Sequence, residues 1–144
     1  MKRVVITINR QYGSGGKTIG YMLAEKLGIP CYSREILQRA SEESGINESM
    51  FNERDERLKR LPKFLLSTNV YSGELLPPES KEFTSDQNLF NYEAEIIKKY
   101  AAEGSCVLIG RCADFVLKDD PDMISVYVHA DHDFQMKSAL ERVS

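Results

Sequence analysis

The residues of this sequence best suited to chemistry are Gly13, Ser14, Gly15, Gly16, Lys17 and Thr18, a consecutive run of small, cationic and hydroxyl side chains. Glycine takes positive φ without a steric penalty, so several backbone N–H groups in such a run can converge on one anion. Lys17 adds a flexible positive charge for outer phosphates, and the Thr18 hydroxyl is an oxygen ligand of the kind Mg2+ accepts. The chemistry is polyphosphate binding, with Thr18 as the metal ligand. The run departs from G-x-x-x-x-G-K-[ST] at one place, because the first glycine position falls on Gln11. Its anion-binding end is intact.

A loop of this kind must be held between a strand and a helix. Val4-Val5-Ile6-Thr7-Ile8 is an apolar, mostly β-branched run that stops at Asn9 and Arg10. After the loop, Ile19, Met22, Leu23 and Leu27 recur at helical spacing until Gly28 and Pro30 end the helix. The positive end of that helix dipole falls on the loop.

Further along, Pro30-Cys31-Tyr32 reads as a short strand and Ser33 as the N-cap of a helix reaching Gly45. Asn47 caps another helix, through Met50, Phe51, Arg54 and Leu58 to Leu61, where Pro62 stops it. Its charges, from Glu48 through Glu53, Arg54 and Asp55 to Arg60, are expected on a solvated face laced by i,i+4 pairs. Phe64, Leu65 and Leu66 suggest a short apolar helix, and Asn69 to Ser80 a long loop of the kind that covers substrate. Ser85 caps a long helix with Leu89, Tyr92, Ile96, Ile97 and Tyr100 on one side, ending at Gly104. Cys106 to Ile109 is a strand buried on both faces, Ala113 to Leu117 is helical, Asp119 to Asp122 is a turn, and Met123 to Val128 is a strand before a last helix from about Asp133. Strands alternating with helices predict an α/β domain with a parallel sheet and helices on both faces.

At 144 residues, 42% hydrophobic and 28% charged, the chain has the size and composition of one ordinary globular domain. A net charge of −3 gives no reason to expect nucleic-acid binding, although it leaves room for local basic clusters. No segment has the length of a membrane span, and the apolar run near the start is too short for a signal peptide. Cys31, Cys106 and Cys112 are odd in number and lack metal-ligand spacing, which predicts a reduced, cytoplasmic protein.

In open parallel sheets ligands gather beyond the carboxyl ends of the strands. Three strand ends carry polar groups here: Arg10, then Ser33-Arg34-Glu35, then Gly110-Arg111 followed by Asp114. Arginine's planar fork suits phosphate, so a second phosphate site beside the glycine loop is expected. Two phosphate sites side by side are what phosphoryl transfer requires.

The segment ITINRQYGSGGKTIGYMLAEKLGIPCYSREIL, followed by VLIGRCADFVL, resembles the cytidylate kinase-like family of P-loop nucleoside monophosphate kinases. The resemblance extends over almost the whole chain and is least distinctive in the middle. It implies a three-layer P-loop fold with strand order 2-3-1-4, and ATP with Mg2+ as cofactors. The loop from Gly13 to Thr18 would bind the ATP phosphates. Lys17 and Arg111 would be the catalytic residues, and Arg34, Arg111 and Asp114 would bind a nucleoside monophosphate, CMP-like by preference. In true cytidylate kinases an aspartate directly follows the arginine of the G-R segment; here Cys112 does, with Asp114 two residues on, and the G-R-x-A-D form is similar to the kinase-like branch.

The family continues past its fourth strand into an arginine-rich lid and a fifth strand. Residues 1–144 are therefore expected to be one kinase-like domain, incomplete at the C-terminal end. Gln135 stands where the family tends to place its first arginine after that strand, and Arg142 is the arginine remaining in the tail. The chain alone is expected to bind nucleotide, to turn over poorly, and to self-associate through the edge at residues 124–129. Two alternatives share the loop: a nucleotide-binding module without transfer activity, and a kinase of another small metabolite.

Overall fold

The computed structural model describes residues 2–11, 13–59, 75–78, 81 and 83–143. The elements in chain order are β1 (Val5–Arg10), α1 (Gly16–Leu27), β2 (Cys31–Tyr32), α2 (Arg34–Ser44), α3 (Glu48–Lys59), α4 (Asp86–Glu103), β3 (Cys106–Ile109), α5 (Ala113–Val116), β4 (Met123–Val128) and α6 (His132–Val143). They form two compact units, Met1–Ser33 with Tyr100–Ser144, and Arg34–Lys99. The expected helix at Phe64 to Leu66 and most of the expected loop from Asn69 to Ser80 lie outside the described residues.

The first unit is built on a four-stranded parallel sheet in the order β2-β3-β1-β4. Ile6 lies beside Val107 and Ile124, and Ile8 beside Ile109 and Val126. The period of two along a strand therefore puts these side chains on one face. Ile6, Ile8, Val107 and Ile109 form the core there with Ala24 of α1, and Val126 and Val128 pack against it. α1 can come close because Gly20 has no side chain: a Cβ there would lie 2.8 Å from Ile109 Cδ1 and 3.1 Å from Ile8 Cδ1. On the opposite face Val5, Thr7, Cys106 and Leu108 are also buried, which explains why both central strands read as continuous rather than alternating apolar runs. Full burial of each such aliphatic side chain contributes about 1.5–3 kcal/mol. α1 ends as its glycine predicts, with Gly28 at φ 66 and its N–H directed to the Ala24 and Glu25 carbonyls.

β4 is an outer strand of the described sheet, the edge position expected for Ile124 to Val128. Ile124 shares the core face with Val126 and Val128 yet is 52% exposed, as is Tyr127 on the other face at 56%. The core residues on this face are at Ile6 and Ile8 and α1 lies over the later part of the strand, so cover thins toward the strand's beginning.

Below β1, Arg3 ties the strand to the turn before β4. Its guanidinium donates to Asp120 Oδ1 and Oδ2 at 3.0 and 2.7 Å, to Asp122 Oδ2 at 3.0 Å, and to the Ala101 carbonyl at 3.1 and 2.8 Å. The hydrogen bonds from Arg3 hold the Asp120 carboxyl below the usual carboxylate range. A carboxyl depressed in the folded state stabilises the fold above its unfolded value of 3.8, and that contribution is lost as pH falls through the lower folded value. Asp120→Asn is therefore expected to lower stability at neutral pH and to flatten its dependence on acid, measured by urea denaturation from pH 7 downward. Parallel pH curves for the two proteins would contradict this role.

All three cysteines are free. Burial pushes the Cys106 thiol up to about 11, which keeps it protonated at neutral pH as a small core residue. Among the described residues no group of three His, Cys, Asp or Glu side chains is arranged to hold a metal, and no helix is long and apolar enough to cross a membrane.

The second unit packs α2, α3 and the first part of α4 around Ile36, Leu37, Ala40, Phe51, Leu89 and Ile96. Of the three predicted caps, those of Asn47 and Ser85 are made: Asn47 Oδ1 accepts from Ser49 N at 2.9 Å and Ser85 Oγ from Asn88 N at 3.2 Å. The charged face of α3 is not wholly solvated, and this corrects the expectation for Arg54. Arg54 is 3% exposed, donates through Nε to the Asp86 carbonyl at 2.9 Å and through Nη1 to Glu93 Oε2 at 3.4 Å, and lies 5.2 Å from the centre of the Phe90 ring. The pattern of alternating charge hid it because Phe51 and Arg54, three apart, share the inward face.

Candidate phosphate-binding site

The glycine loop starts where β1 leaves the sheet. Gln11 N donates to the Val128 carbonyl at 3.0 Å and Ser14 N returns to the Gln11 carbonyl at 3.1 Å. Gly13 and Gly15 take φ values of 77 and 82, the left-handed region in which a Cβ is strained. Gly15 is the N-cap of α1, no side chain caps that helix, and its first intrahelical bond is from Ile19 N to the Gly15 carbonyl at 3.0 Å. The N–H groups of Gly16, Lys17 and Thr18 are thus the helix-start donors that lack an intrahelical acceptor. Beside them Ser14 is 6% exposed, and its Oγ makes no hydrogen bond among the described residues.

A buried hydroxyl left unsatisfied costs about 1–3 kcal/mol, and an anion beside the uncapped amides would relieve that cost. A polyphosphate fits this loop: it supplies acceptors for the amides and for Ser14 at once. Lys17 and Thr18 are exposed on the first turn, open to the outer phosphates. Thr18 offers one oxygen to Mg2+, which ordinarily takes most of its remaining ligands from phosphates and water.

The strand end opposite the loop is strained. Gly110, Arg111 and Cys112 all have positive φ, at 73, 57 and 58. For the two residues with side chains this costs roughly 1–2 kcal/mol each. Strain of this kind persists where the surroundings fix it, commonly at ligand sites. Gly110 N is held by the Ile8 carbonyl at 2.9 Å, and Arg111 Nε by the Ser33 carbonyl at 3.3 Å. Asp114 is half-buried in the first turn of α5, which packs on β1. Arg111 and Asp114 therefore stand at the carboxyl end of the sheet, as the loop does. Arg34 belongs to the second unit, where it is 71% exposed and pairs with Glu48 at 3.5 Å.

A third wall of the loop was not foreseen. Residues 130–135 pack directly on it: a Cβ at Gly13 would lie 2.6 Å from the Gln135 carbonyl oxygen, and one at Gly15 would lie 3.9 Å from the Phe134 ring. Gln135 Nε2 donates to Gln11 Oε1 at 3.1 Å and to the Ala130 carbonyl at 2.6 Å, while Ala130 N donates to Gln11 Oε1 at 3.3 Å. The signal was Gln11 itself, the residue at which the glycine motif departs from its usual form.

No curated protein sequence matches this chain. Among solved structures, an uncharacterized protein from Eubacterium ventriosum ATCC 27560 is similar to it at 26% identity and a TM-score of 0.62, over 98% of this chain. The chain spans 62% of that protein's length. The sheet order and the strand–glycine loop–helix unit agree with an α/β fold of the P-loop kind, and the sequence profile of the cytidylate kinase-like family matches residues 5–144. With the match covering the sheet, the loop and the Gly110-Arg111 strand end together, this chain belongs to the cytidylate kinase-like family.

Proposed function

We propose that this chain takes part in transfer of the γ-phosphoryl group of Mg-ATP to a nucleoside monophosphate, a CMP-like acceptor being favoured by the family. The observation that carries this reading is the glycine loop, whose uncapped amides flank a buried, unpartnered Ser14 hydroxyl. The loop amides and Lys17 bind the donor phosphates, and Thr18 would hold Mg2+, which would supply further neutralisation of their charge. Arg111, fixed by its strained backbone and by Ser33, orients the acceptor phosphate. The part assigned to Asp114 in acceptor binding rests on the resemblance, and that of Arg34 on the resemblance together with its place just after β2. No side chain need act as a strong base, because this chemistry depends mainly on positioning and charge neutralisation.

The test is a coupled assay with ATP against a panel of monophosphates, run on this chain and on a version extended into any natural downstream sequence. Transfer to a pyrimidine monophosphate supports the reading; transfer to none by either version removes it. Within the same assay Arg111→Ala is expected to weaken monophosphate binding about tenfold to a hundredfold, the loss of a charged hydrogen bond worth about 1.5–3 kcal/mol. ATP affinity is expected to stay within about twofold. Equal losses for both ligands would assign Arg111 a structural role instead.

One observation favours a second reading, a nucleotide-binding module without transfer. From α6 the uncharged Gln135 hydrogen-bonds to Gln11 at the start of the loop, and arginines supplied to other phosphoryl-transfer sites can contribute several powers of ten in rate. ATP binding of ordinary strength with no turnover in either version would select it.

A further inference from the structure

An arginine that the loop motif does not contain, Arg10 at the end of β1, packs its stem against the glycine loop. Gly16, the first residue of α1, has no room for a side chain: a Cβ there would lie 2.6 Å from Arg10 Cβ, 3.1 Å from Arg10 Cδ and 3.2 Å from Val128 Cβ. The aliphatic stem of Arg10 occupies the place a side chain on Gly16 would take. At its far end, Arg10 Nη1 would lie 3.0 Å from a Cβ on Gly110, the residue that opens the strained turn bearing Arg111. The side chain thus runs from the glycine loop to the turn after β3, and it is the missing side chain of Gly16 that leaves room for its stem. Its backbone is fixed as the last residue of β1, paired beside Val128 of β4.

We propose that Arg10 binds the terminal phosphate of the bound triphosphate, the one nearest Arg111, and so determines that the site recognises a nucleoside triphosphate over a diphosphate. Lys17, exposed on the outer side of the first helical turn, reaches the same phosphate chain from the other direction. Arginine suits the inner position because its planar fork holds two phosphate oxygens at once, and because its stem is already immobilised against Gly16, so less side-chain entropy is lost on binding. This inference rests on the loop being a nucleotide site, and it deepens that reading by naming the residue that reads the third phosphate.

The test compares Mg-ATP and Mg-ADP binding by calorimetry for the unmodified protein, Arg10→Met and Arg10→Lys. Methionine keeps an unbranched stem over Gly16 without the charge, and urea denaturation shows whether each variant is folded. Arg10→Met is expected to weaken ATP at least tenfold more than it weakens ADP, with Arg10→Lys between. Equal losses for the two nucleotides, or no loss for either, would overturn the proposal, since a merely structural stem would not distinguish the third phosphate. Failure of the kinase reading is separable: if the unmodified protein binds both nucleotides but transfers to no monophosphate, the ATP-to-ADP difference still decides the role of Arg10. Binding of neither nucleotide by the unmodified protein would overturn both.

Discussion

Gly13→Ala is expected to cost about 2–4 kcal/mol of stability and to abolish nucleotide binding, through two additive causes at one Cβ. The residue has φ 77, where a side chain is strained. The new methyl would also lie 2.6 Å from the Gln135 carbonyl oxygen and 3.0 Å from its Cα, both backbone atoms that cannot rotate away. Either the loop or the start of α6 must move, and a shift of the loop takes its amides off their common target. Gly28→Ala is the control, because Gly28 has a similar φ of 66 and nothing within 4 Å of its missing Cβ. It should cost only the conformational part, about 1 kcal/mol, and leave nucleotide affinity alone. Urea denaturation and ATP calorimetry on both variants separate the causes; equal effects would mean that α6 does not pack on the loop as described.

The second large effect is expected inside the second unit, at a pair given no part in the proposed phosphate chemistry. Arg54→Ala removes the cation beside a carboxylate that is 1% exposed, Glu93, while leaving that carboxylate inside the second unit. Removing one member of a buried pair commonly costs about 3–5 kcal/mol, most of it the penalty of a buried charge without its counterpart. The aliphatic stem and the contact with the Phe90 ring are lost as well. The double variant Arg54→Met with Glu93→Leu removes both charges and keeps much of the volume, so it should recover most of the loss. Denaturant titration of the single and double variants measures this coupling directly. A single-variant cost below about 1 kcal/mol would show the pair to be solvated.

The strands were legible because the run Val5 to Ile8 and the run Cys106 to Ile109 are buried on both faces, and continuous apolar runs of that length have few other uses. The glycine loop was legible as a strand-to-helix turn for a similar reason: glycines at 13 and 15 are required by positive φ, and the helix after them by its apolar spacing. The sheet order came from the resemblance, since local periodicity carries no information about which strands become neighbours. Arg54 escaped because a period count treats every arginine as outward-facing, whereas a long side chain can bury its stem and find a carboxylate inside. Arg10 was recognised as a cation at a strand end, but its place between Gly16 and Gly110 depends on two close approaches that no linear spacing records. The same holds for Gln11 and Gln135, 124 positions apart in sequence and hydrogen-bonded across the loop.

The claim on which the rest depends is that the loop from Gly13 to Thr18 binds nucleotide phosphate, and calorimetric titration of the protein with Mg-ATP, repeated with Lys17→Ala, tests it most directly. The expected result is saturable binding at one site, competed by inorganic tripolyphosphate and weakened about tenfold or more by loss of the lysine charge. No binding, or binding with the same affinity in Lys17→Ala, would contradict it.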